Sequence, residues 1–410
     1  MAIILIDPKG DLALQVAQFK ENAKPDRAGR LVYLDPYLDP YQTFVINPFD
    51  LPEDITHLNY EQYVDITTQE LTKTFGLIFK EMYSDFTMQM STILEPCIAT
   101  ILRKPDGDLW DLQRFMDDNL NADLIELGKK TPNVAHKNFF VTNFSNKDYG
   151  VSKRGIYTRL QHLLNSPTFA QMMTGKSTVN LREAVNKRKL IVLSLAKGDM
   201  GTKISTYFGK VVLSLLQVMA LQRNRIPESE RTPTHLYVDE FQNYISPTIS
   251  EILTESRKYG LYLTLAHQTV GQNMETDLNR DILGNTNVKI IGRSSHHNWN
   301  LMSKEMGIST SELSGLKNPG EFYATIGNNT PFKINAPKSS LNDKNAMKKE
   351  AWGEIVKEQL GKYYDKRRKK ELPQAPSPYE EPPTKKPKFK RDNPPPTPPK
   401  PDGDNPIYKF

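Results

Sequence analysis

Residues 234–241 read THLYVDEF. Two other runs have a similar composition, KLIVLSLA at 189–196 and LYLTLAHQ at 261–268. Each run is apolar, contains β-branched or aromatic residues and lies between polar segments, as expected of a strand buried inside a sheet. A long amphipathic stretch at 204–224 separates KLIVLSLA from THLYVDEF. Because strands that alternate with helices build parallel sheets, we predict an α/β fold with a mostly parallel, doubly wound sheet.

Five further runs have strand character, two near the start of the chain and three after residue 280. We predict AIILID, LVYL and VKIIGR as strands of the same sheet, and EFYATI with FKINA as a terminal hairpin, at residues 2–7, 31–34, 288–293, 321–326 and 332–336. Between residues 52 and 175 strand signals are scarce and apolar residues recur at helical spacing. This part is therefore predicted as an all-helical module inserted into the sheet domain.

The chain is accordingly predicted to have five segments. The predicted segments are a first part of the sheet domain at 1–51, the all-helical module at 52–175, a second part of the sheet domain at 176–337, a charged helix at 338–372 and a disordered tail at 373–410. Thirteen of the 29 prolines lie in that tail, which has too little apolar surface to fold.

The net charge of +6 is concentrated near the C-terminus. Residues 338–391 hold sixteen Lys or Arg against eight Asp or Glu, so the rest of the chain is nearly neutral. The basic segment is predicted to contact a nucleic-acid backbone or anionic lipid, or only to keep the tail soluble. The proline-rich PPPTPPKP stretch fits a partner groove or a plain linker.

A single cysteine, Cys97, excludes a disulfide framework and fits a reducing compartment. The sequence has no CxxC or HExxH pattern with metal-site spacing. We identify no apolar run of the roughly 18 residues that span a bilayer. These features favour a cytoplasmic location.

Two acids follow the strand THLYVDEF. In a parallel sheet the ligand crevice lies beyond the carboxyl ends of the strands, so Asp239 and Glu240 are expected at that edge. One carboxylate can hold the water shell of Mg²⁺, and the next can polarise a water that attacks a phosphate. The alternative is a strand end with two solvated acids.

The next strand, LYLTLAHQ, ends on Gln268, which is able to hydrogen-bond both a γ-phosphate and the attacking water. Between the two strands we predict a helix with Ser246 as N-cap, Pro247 at its first position and Gly260 after its last turn. Arg257 lies in the final turn of this helix. It is predicted either to stabilise the helix dipole or to reach the nucleotide of a neighbouring subunit.

The runs LREAVNKRKLIVLSLAKGDMGTKISTYFGKVVLSLLQ, YVDEFQNY and ILTESRKYGLYLTLAHQTVGQ resemble the motor core of type IV secretion coupling proteins, the TraG/TraD-like conjugation ATPases related to the HerA and FtsK translocases. The resemblance is specific from Leu181 to Gln272 and extends in order over residues 1–335. It implies a RecA-like fold that uses ATP and Mg²⁺, in a ring of six identical subunits at the inner membrane. It also implies DNA, a relaxase or relaxosome and secretion-channel proteins as partners.

The resemblance assigns roles by position. Asp239 matches the Mg²⁺-associated acid, Glu240 the catalytic glutamate, Gln268 the γ-phosphate sensor and Arg257 the arginine that acts on a neighbour. Asp7 and Lys9, in DPKGD, would lie at another strand end of the same crevice. Asp7 is alternatively a residue that caps its own loop, and Lys9 alternatively an exposed lysine.

No GxxxxGK[ST] phosphate loop occurs in the sequence. A relaxed match at 170–177, which contains Lys176, follows a helical segment rather than a strand, so we do not assign it to nucleotide binding. The resemblance places the loop before IILIDPKGD. We therefore expect it, with any membrane anchor, upstream of Met1 or on a separate polypeptide, and we expect this chain alone to be a poor ATPase.

Three classes of function remain open on these residues. The first is the motor ATPase subunit of a conjugation or secretion system. The second is a related HerA/FtsK-like or phage-type DNA translocase. The third is a non-enzymatic adaptor that has the same fold and docks substrates.

Overall fold

The computed structural model describes residues 1–27, 29–52, 57–244, 246, 251–252, 254–268 and 282–367. Residues Met1–Arg367 form one compact unit. The proline-rich tail predicted at 373–410 lies outside the described residues. Pro247, the predicted first residue of the helix that contains Arg257, also lies outside the described residues.

The main sheet has five parallel strands in the spatial order β2-β4-β1-β5-β6. The five strands are β1 (Ala2–Asp7), β2 (Leu31–Leu34), β4 (Leu190–Ser194), β5 (Thr234–Val238) and β6 (Leu261–Leu265). Their apolar runs are buried at the centre, where Ile4 and Ile6 of β1 have no exposed surface. The predicted α/β class and the parallel sheet are confirmed.

Helices connect these strands across both faces of the sheet. The helices of the sheet layer are α1 (Asp11–Ala17), α9 (Leu181–Asn186), α10 (Lys197–Met200) and α11 (Thr202–Gln222). The connection from β1 to β2 includes α1, whose Ala13 and Ala17 are buried in a cluster with Leu5 and Tyr33. The connection from β4 to β5 includes α11, which belongs to the core on the opposite face with Ile4 and Ile6.

Helices dominate the chain between β2 and β4. They are α2 (His57–Met82), α3 (Met88–Leu102), α4 (Leu109–Phe115), α5 (Ala122–Gly128), α6 (Val134–Asn138), α7 (Gly150–Leu164) and α8 (Pro167–Met173). Their apolar faces share one core with the sheet layer, since the Phe49 and Phe75 rings stack at 6.4 Å and Phe44 lies 5.9 Å from Phe208 of α11. The segment boundaries at 51, 175 and 337 stay a prediction within this single unit.

A second, antiparallel sheet has the order β7-β8-β9, formed by β7 (Val288–Ile291), β8 (Glu321–Ile326) and β9 (Phe332–Asn335). The hairpin predicted for EFYATI and FKINA is confirmed, but the placement of VKIIGR in the parallel sheet is wrong. The physical reason is that β7 is buried on one face only: Val288 and Ile290 are exposed, whereas Ile291 is buried. Antiparallel sheets commonly have one face on the core and one face in solvent, whereas parallel sheets are buried on both. Two helices, α12 (His296–Met306) and α13 (Thr310–Ser314), bury its other face.

The charged segment near the C-terminus forms α14 (Lys349–Tyr363), followed by β10 (Asp365–Lys366), which pairs with β3 (Gln42–Thr43). This helix packs on the sheet, with the Trp352 and Tyr33 rings 5.7 Å apart. Its Gln359 is buried and closes the outer edge of β2: the Tyr33 N–H donates to Gln359 Oε1 at 2.8 Å, and Gln359 Nε2 donates to the Leu31 carbonyl at 3.2 Å.

One helical stretch in the described part of the chain, Thr202–Arg225, is long and apolar enough to pass a length-and-composition test for a membrane span. This stretch corrects the expectation that the chain has no apolar run of that length. Since 78% of its apolar window is buried inside the protein, the stretch has the properties of a core helix, and passing the test is weak support for a span.

Gly209 on α11 offers a test of this core. A methyl group added there would lie 2.7 Å from Cδ1 of Tyr244, which has no exposed surface. We expect Gly209→Ala to lower the free energy of unfolding by about 1–3 kcal/mol, as overpacked cores do. In α14, a methyl added at Gly353 meets nothing within 4 Å, so Gly353→Ala should be neutral or stabilising by up to about 1 kcal/mol. Urea denaturation of both variants measures the difference, and equal effects would contradict the packing.

Candidate functional site

The polar residues predicted as a site follow strands that end at one edge of the main sheet. Asp7 is the last residue of β1 and lies opposite Ser194 at the end of β4. Val238 at the end of β5 lies opposite Ile6 on one side and Leu265 on the other. Since all five strands are parallel, the residues after their carboxyl ends meet at this edge, which is the position of ligand crevices in open α/β sheets.

Glu240 is the centre of the cluster. Its Oε1 atom accepts a hydrogen bond from Gln268 Nε2 at 2.7 Å and lies 2.6 Å from Lys9 Nζ. The Glu240 side chain is only 14% exposed, while that of Lys9 is 50% exposed. The hydrogen bond to Glu240 raises the pKa of Lys9. The structure thus brings together Lys9, Glu240 and Gln268, three residues that the sequence predicted as one site.

The backbone at Glu240 is left-handed, with φ of +45° and ψ of +48°, a region that side chains other than glycine seldom adopt. Hydrogen bonds hold this conformation: Asn243 Nδ2 donates to the Glu240 carbonyl at 2.6 Å, and the Phe241 N–H donates to the Ala266 carbonyl at 3.0 Å. The chain therefore turns sharply after Asp239 and keeps Glu240 beside β6. Strained backbone of this kind is frequent at functional sites.

Asp239 is half-buried at the tip of β5, where its N–H donates to the Ile6 carbonyl at 3.0 Å. Burial raises the pKa of Asp239, and the nearby carboxylates of Asp7 and Glu240 raise it further. These neighbouring acids repel the negative charge that Asp239 carries when it is ionised. Asp239 is the acid in the position predicted for magnesium.

Asp7 is fully buried, and its carboxylate is used inside the loop that follows β1. Oδ1 accepts the Lys9 N–H at 2.8 Å and Oδ2 accepts the Ala13 N–H at 2.8 Å. These bonds fit the loop-capping alternative that the sequence left open, while a role in nucleotide binding stays a prediction. Gly10 permits the turn, since its φ is +84° and an added methyl would lie 3.1 Å from Ser194 Oγ.

The structure adds Lys197 and Asn243, which the sequence analysis did not select. Lys197 begins α10 directly after β4, and its Nζ donates to Asn243 Oδ1 at 2.5 Å. Burial lowers the pKa of Lys197, against the opposite effect of the Glu240 carboxylate. The rule that selected Asp239, a polar residue after a buried strand, also applies to Lys197 and would have found it.

Gln268 is linked to the antiparallel part of the unit. Asn298 on α12 is buried, and its Nδ2 donates to the Gln268 carbonyl at 3.1 Å and to Ser294 Oγ at 2.5 Å. This bond positions the backbone that carries the amide facing Glu240. The sequence contains no signal for it, because the two residues are 30 positions apart, one after β6 and the other on helix α12.

Arg257 is not part of the cluster. It lies in a 3₁₀ helix, Ser256–Tyr259, that ends at Gly260 with φ of +74°, so the predicted glycine stop is confirmed. Because β6 begins at Leu261, Arg257 lies at the amino end of a strand whose carboxyl end leads to Gln268. Arg257 is exposed there, and its role towards a neighbouring subunit stays a prediction.

Lys176, from the relaxed phosphate-loop match, also lies away from the cluster. It lines a cleft of about 540 Å³ together with Arg182 and Lys189, which precede β4. That cleft includes none of the predicted site residues. The sequence analysis did not assign residues 170–177 to nucleotide binding. The position of Lys176 in a separate cleft agrees with that interpretation.

The carboxyl edge has residues of the types that a magnesium nucleotide needs. Asp239 and Glu240 offer oxygen atoms to a hydrated Mg²⁺, and Lys9 and Lys197 offer positive charge to phosphates. The described residues contain no group of three or more His, Cys, Asp or Glu side chains placed to hold a metal ion by themselves. The arrangement therefore fits a cation held through water and a bound anion rather than a closed protein cage.

The chain has a RecA-like α/β fold with a cluster of polar residues at the carboxyl edge of its sheet. Solved structures show the same fold: the unbound bacterial conjugative coupling protein TrwBdeltaN70 matches with a TM-score of 0.56 and 12% identity, over 82% of this chain and 78% of that chain. TrwB in complex with ADP and Mg²⁺ matches with a TM-score of 0.54 and 14% identity, over 82% and 79% of the two chains. TrwB with the GTP analogue GDPNP has a TM-score of 0.54 and 12% identity over the same shares. The predicted resemblance to coupling proteins is confirmed at the level of the fold.

Residues 233–320 match a family model described as the TraM recognition site of TraD and TraG. The match begins just before β5 and ends just before β8, so it includes Asp239, Glu240 and Gln268. No curated protein sequence matches the chain.

The raised pKa of Asp239 gives a testable pH dependence. Its carboxylate is disfavoured in the folded state, so the folded protein carries a penalty at neutral pH that disappears as the pH falls through the raised pKa towards the ordinary value of about 3.9. We expect Asp239→Asn to raise the free energy of unfolding at pH 7, with a gain that shrinks to zero near pH 4. The exposed Asp26 provides the control, because Asp26→Asn should show no such gain. A loss of stability in Asp239→Asn at pH 7 would contradict the assignment.

Proposed function

We propose that this chain is a subunit of a motor ATPase that couples ATP hydrolysis to the transfer of DNA, or of a DNA–protein complex, through a type IV secretion or conjugation system. The observation that carries the proposal is the cluster of Glu240, Lys9 and Gln268 at the carboxyl edge of the parallel sheet. The fold supports it, because it is similar to the fold of the conjugative coupling protein TrwB.

The residues of the cluster fit separate parts of phosphoryl transfer. Bound Mg²⁺ would neutralise charge on the terminal phosphates, with Asp239 holding its water shell. Glu240 would orient the attacking water and accept its proton, for which a largely buried carboxylate at a strand end is suited. Gln268 would donate to the γ-phosphate, and Lys9 and Lys197 would balance phosphate charge.

The contacts of Glu240 suggest how the site is held without nucleotide. Lys9 and Gln268 both bind its Oε1 atom. A γ-phosphate is a competing acceptor for both donors, so its arrival would release Oε1 to accept a hydrogen bond from water. The carboxylate would then become available only when the substrate is in place.

The neighbouring subunits and partners are also part of the proposal. Arg257 is exposed just before the amino end of β6. From there it would contact another copy of the chain in a ring. The family model matched at 233–320 is described as a TraM recognition site, which supports a relaxosome partner bound by this part of the chain. DNA, a relaxase, secretion-channel proteins and a peripheral position at the inner membrane complete the proposed setting.

Glu240→Gln in the native transfer system tests the catalytic role. We expect DNA transfer to fall at least about 100-fold, because an amide cannot accept the proton of the attacking water. The exposed Glu228 provides a matched control, and Glu228→Gln should leave transfer unchanged. Normal transfer by Glu240→Gln would instead favour the adaptor that docks substrates without nucleotide chemistry.

A second test measures residues 1–410 as a purified chain. The sequence has no GxxxxGK[ST] loop to supply backbone N–H groups to the phosphates. A loss of about 2.8 kcal/mol of phosphate contacts corresponds to about 100-fold weaker ATP binding. We therefore expect ATP affinity and turnover well below those of a complete motor. Ordinary turnover by this chain alone would contradict the expectation.

A further inference from the structure

A cleft at the amino edge of the main sheet, which we call the amino-edge cleft, lies away from the crevice of Glu240. Its volume is about 540 Å³, within the range of small-molecule sites. Lys189 lies on its wall and directly precedes β4, so the cleft and the crevice are at opposite ends of this strand. Met219 of α11, Tyr63 of α2 and Tyr363 of α14 also line it. The sheet layer, the helical module and the C-terminal helix therefore meet at this cleft.

The described lining of the amino-edge cleft has more positive than negative charge. Its cationic residues are Lys176, Arg182, Lys187, Lys189 and Lys362, and its carboxylates are those of Asp50 and Glu183. Lys187 pairs with Glu183 at 2.5 Å. Lys362 pairs with Glu358 at 2.6 Å. Lys189 Nζ donates to a backbone carbonyl, which is a neutral acceptor, so it keeps a positive charge beside the cleft. Charge of one sign in a cleft attracts ligands of the other sign.

Behind the cleft, Arg223 adds a buried positive charge directly after α11. It is 4% exposed, and its guanidinium donates to two neutral acceptors, the Tyr259 carbonyl at 3.2 Å and Thr234 Oγ1 at 2.9 Å. Burial lowers the pKa of Arg223 to about 10, and the nearby cations Arg182 and Arg231 contribute to this shift. A buried cation among other cations costs free energy, which an anion bound beside Arg182 would offset.

The loop at 175–178 shows how an anion would be held in this cleft. The Gly175 N–H donates to Asp108 Oδ2 at 3.1 Å, and the Ser177 N–H donates to Asp50 Oδ2 at 2.7 Å. Because carboxylates of the protein already use these backbone groups, the loop does not cradle a phosphate, and an anion would be bound by side chains. Several lysine and arginine side chains around one cavity suit a compact anion with two or more negative charges.

We propose that the amino-edge cleft is a binding site for a compact anion of the diphosphate type, held by Arg182, Lys189 and Lys176. Thr178 Oγ1 donates to the Tyr363 carbonyl at 2.6 Å, so the wall of the cleft is already joined to the end of α14. A bound anion would therefore stabilise the contact between α9 and α14. Occupancy of the cleft requires neither Mg²⁺ nor ATP hydrolysis, and it is independent of the proposed motor function.

Calorimetric titration of residues 1–410 with inorganic pyrophosphate tests the site. In EDTA and at physiological ionic strength we expect one bound pyrophosphate with a dissociation constant below about 0.1 mM, because several charge-assisted contacts act together. Sulfate should bind at least about tenfold more weakly. No binding of pyrophosphate, or equal binding of sulfate, overturns the proposal. Titration with ADP identifies the source of the diphosphate group: tighter binding than pyrophosphate indicates a nucleotide, and weaker binding indicates a free diphosphate.

Variants that remove one charge place the ligand. Arg182→Gln and Lys189→Gln should each weaken pyrophosphate binding at least about tenfold, the effect of losing one charge-assisted contact. Lys130→Gln is the matched control and should leave binding unchanged, because Lys130 is exposed and lies outside the lining. Lys9→Gln tests the other site. If it abolishes binding while Arg182→Gln does not, pyrophosphate occupies the crevice of Glu240 and the proposal is wrong.

Hydrogen exchange locates the ligand without any substitution, so this test does not depend on the folding of a variant. Pyrophosphate should slow amide exchange in α9 and in the last turn of α14 at least about threefold, with residues 239–244 unchanged. Protection of 239–244 without protection of α9 would contradict the placement. These measurements do not involve ATP hydrolysis, so they can fail while the transfer test of Glu240 succeeds.

Discussion

The parallel pairing of β1 with β4 and β5 is the constraint on which the rest of the structure depends. Ile4 and Ile6 are fully buried between these neighbours, and the registers bring Asp7 level with Ser194 and Ile6 level with Val238. Because every strand of this sheet points the same way, the polar residue that follows each strand lies at one edge. The crevice is thus a consequence of strand direction.

The same edge concentrates features that oppose stability. Burial and neighbouring acids raise the pKa of Asp239, and Glu240 has a left-handed backbone whose carbonyl accepts a hydrogen bond from Asn243. Such costs are commonly tolerated where they arrange reactive groups. Lys9 and Gln268 partly offset them by pairing with Glu240. These two contacts fix the position of the Glu240 carboxylate.

The faces of the sheet are closed unequally. One face is buried by α11 and the helical module, whereas the described residues cover the face under α1 and α14 over β2, β4 and β1. In the described part of the chain, Tyr237 of β5 and Tyr262 of β6 are each 40% exposed on that second face.

The sequence by itself determined the α/β class, the buried strands and the residues Asp239, Glu240 and Gln268 at strand ends, because burial and alternation are local patterns. It misplaced VKIIGR and treated the C-terminal helix as separate from the sheet. Only the tertiary structure showed that Gln359 closes β2, that Lys197 approaches Glu240, that Lys9 pairs with the same Glu240 oxygen as Gln268, and that Asn298 supports Gln268. These contacts join residues from tens to more than three hundred positions apart, and no local pattern encodes the pairing and packing that bring them together.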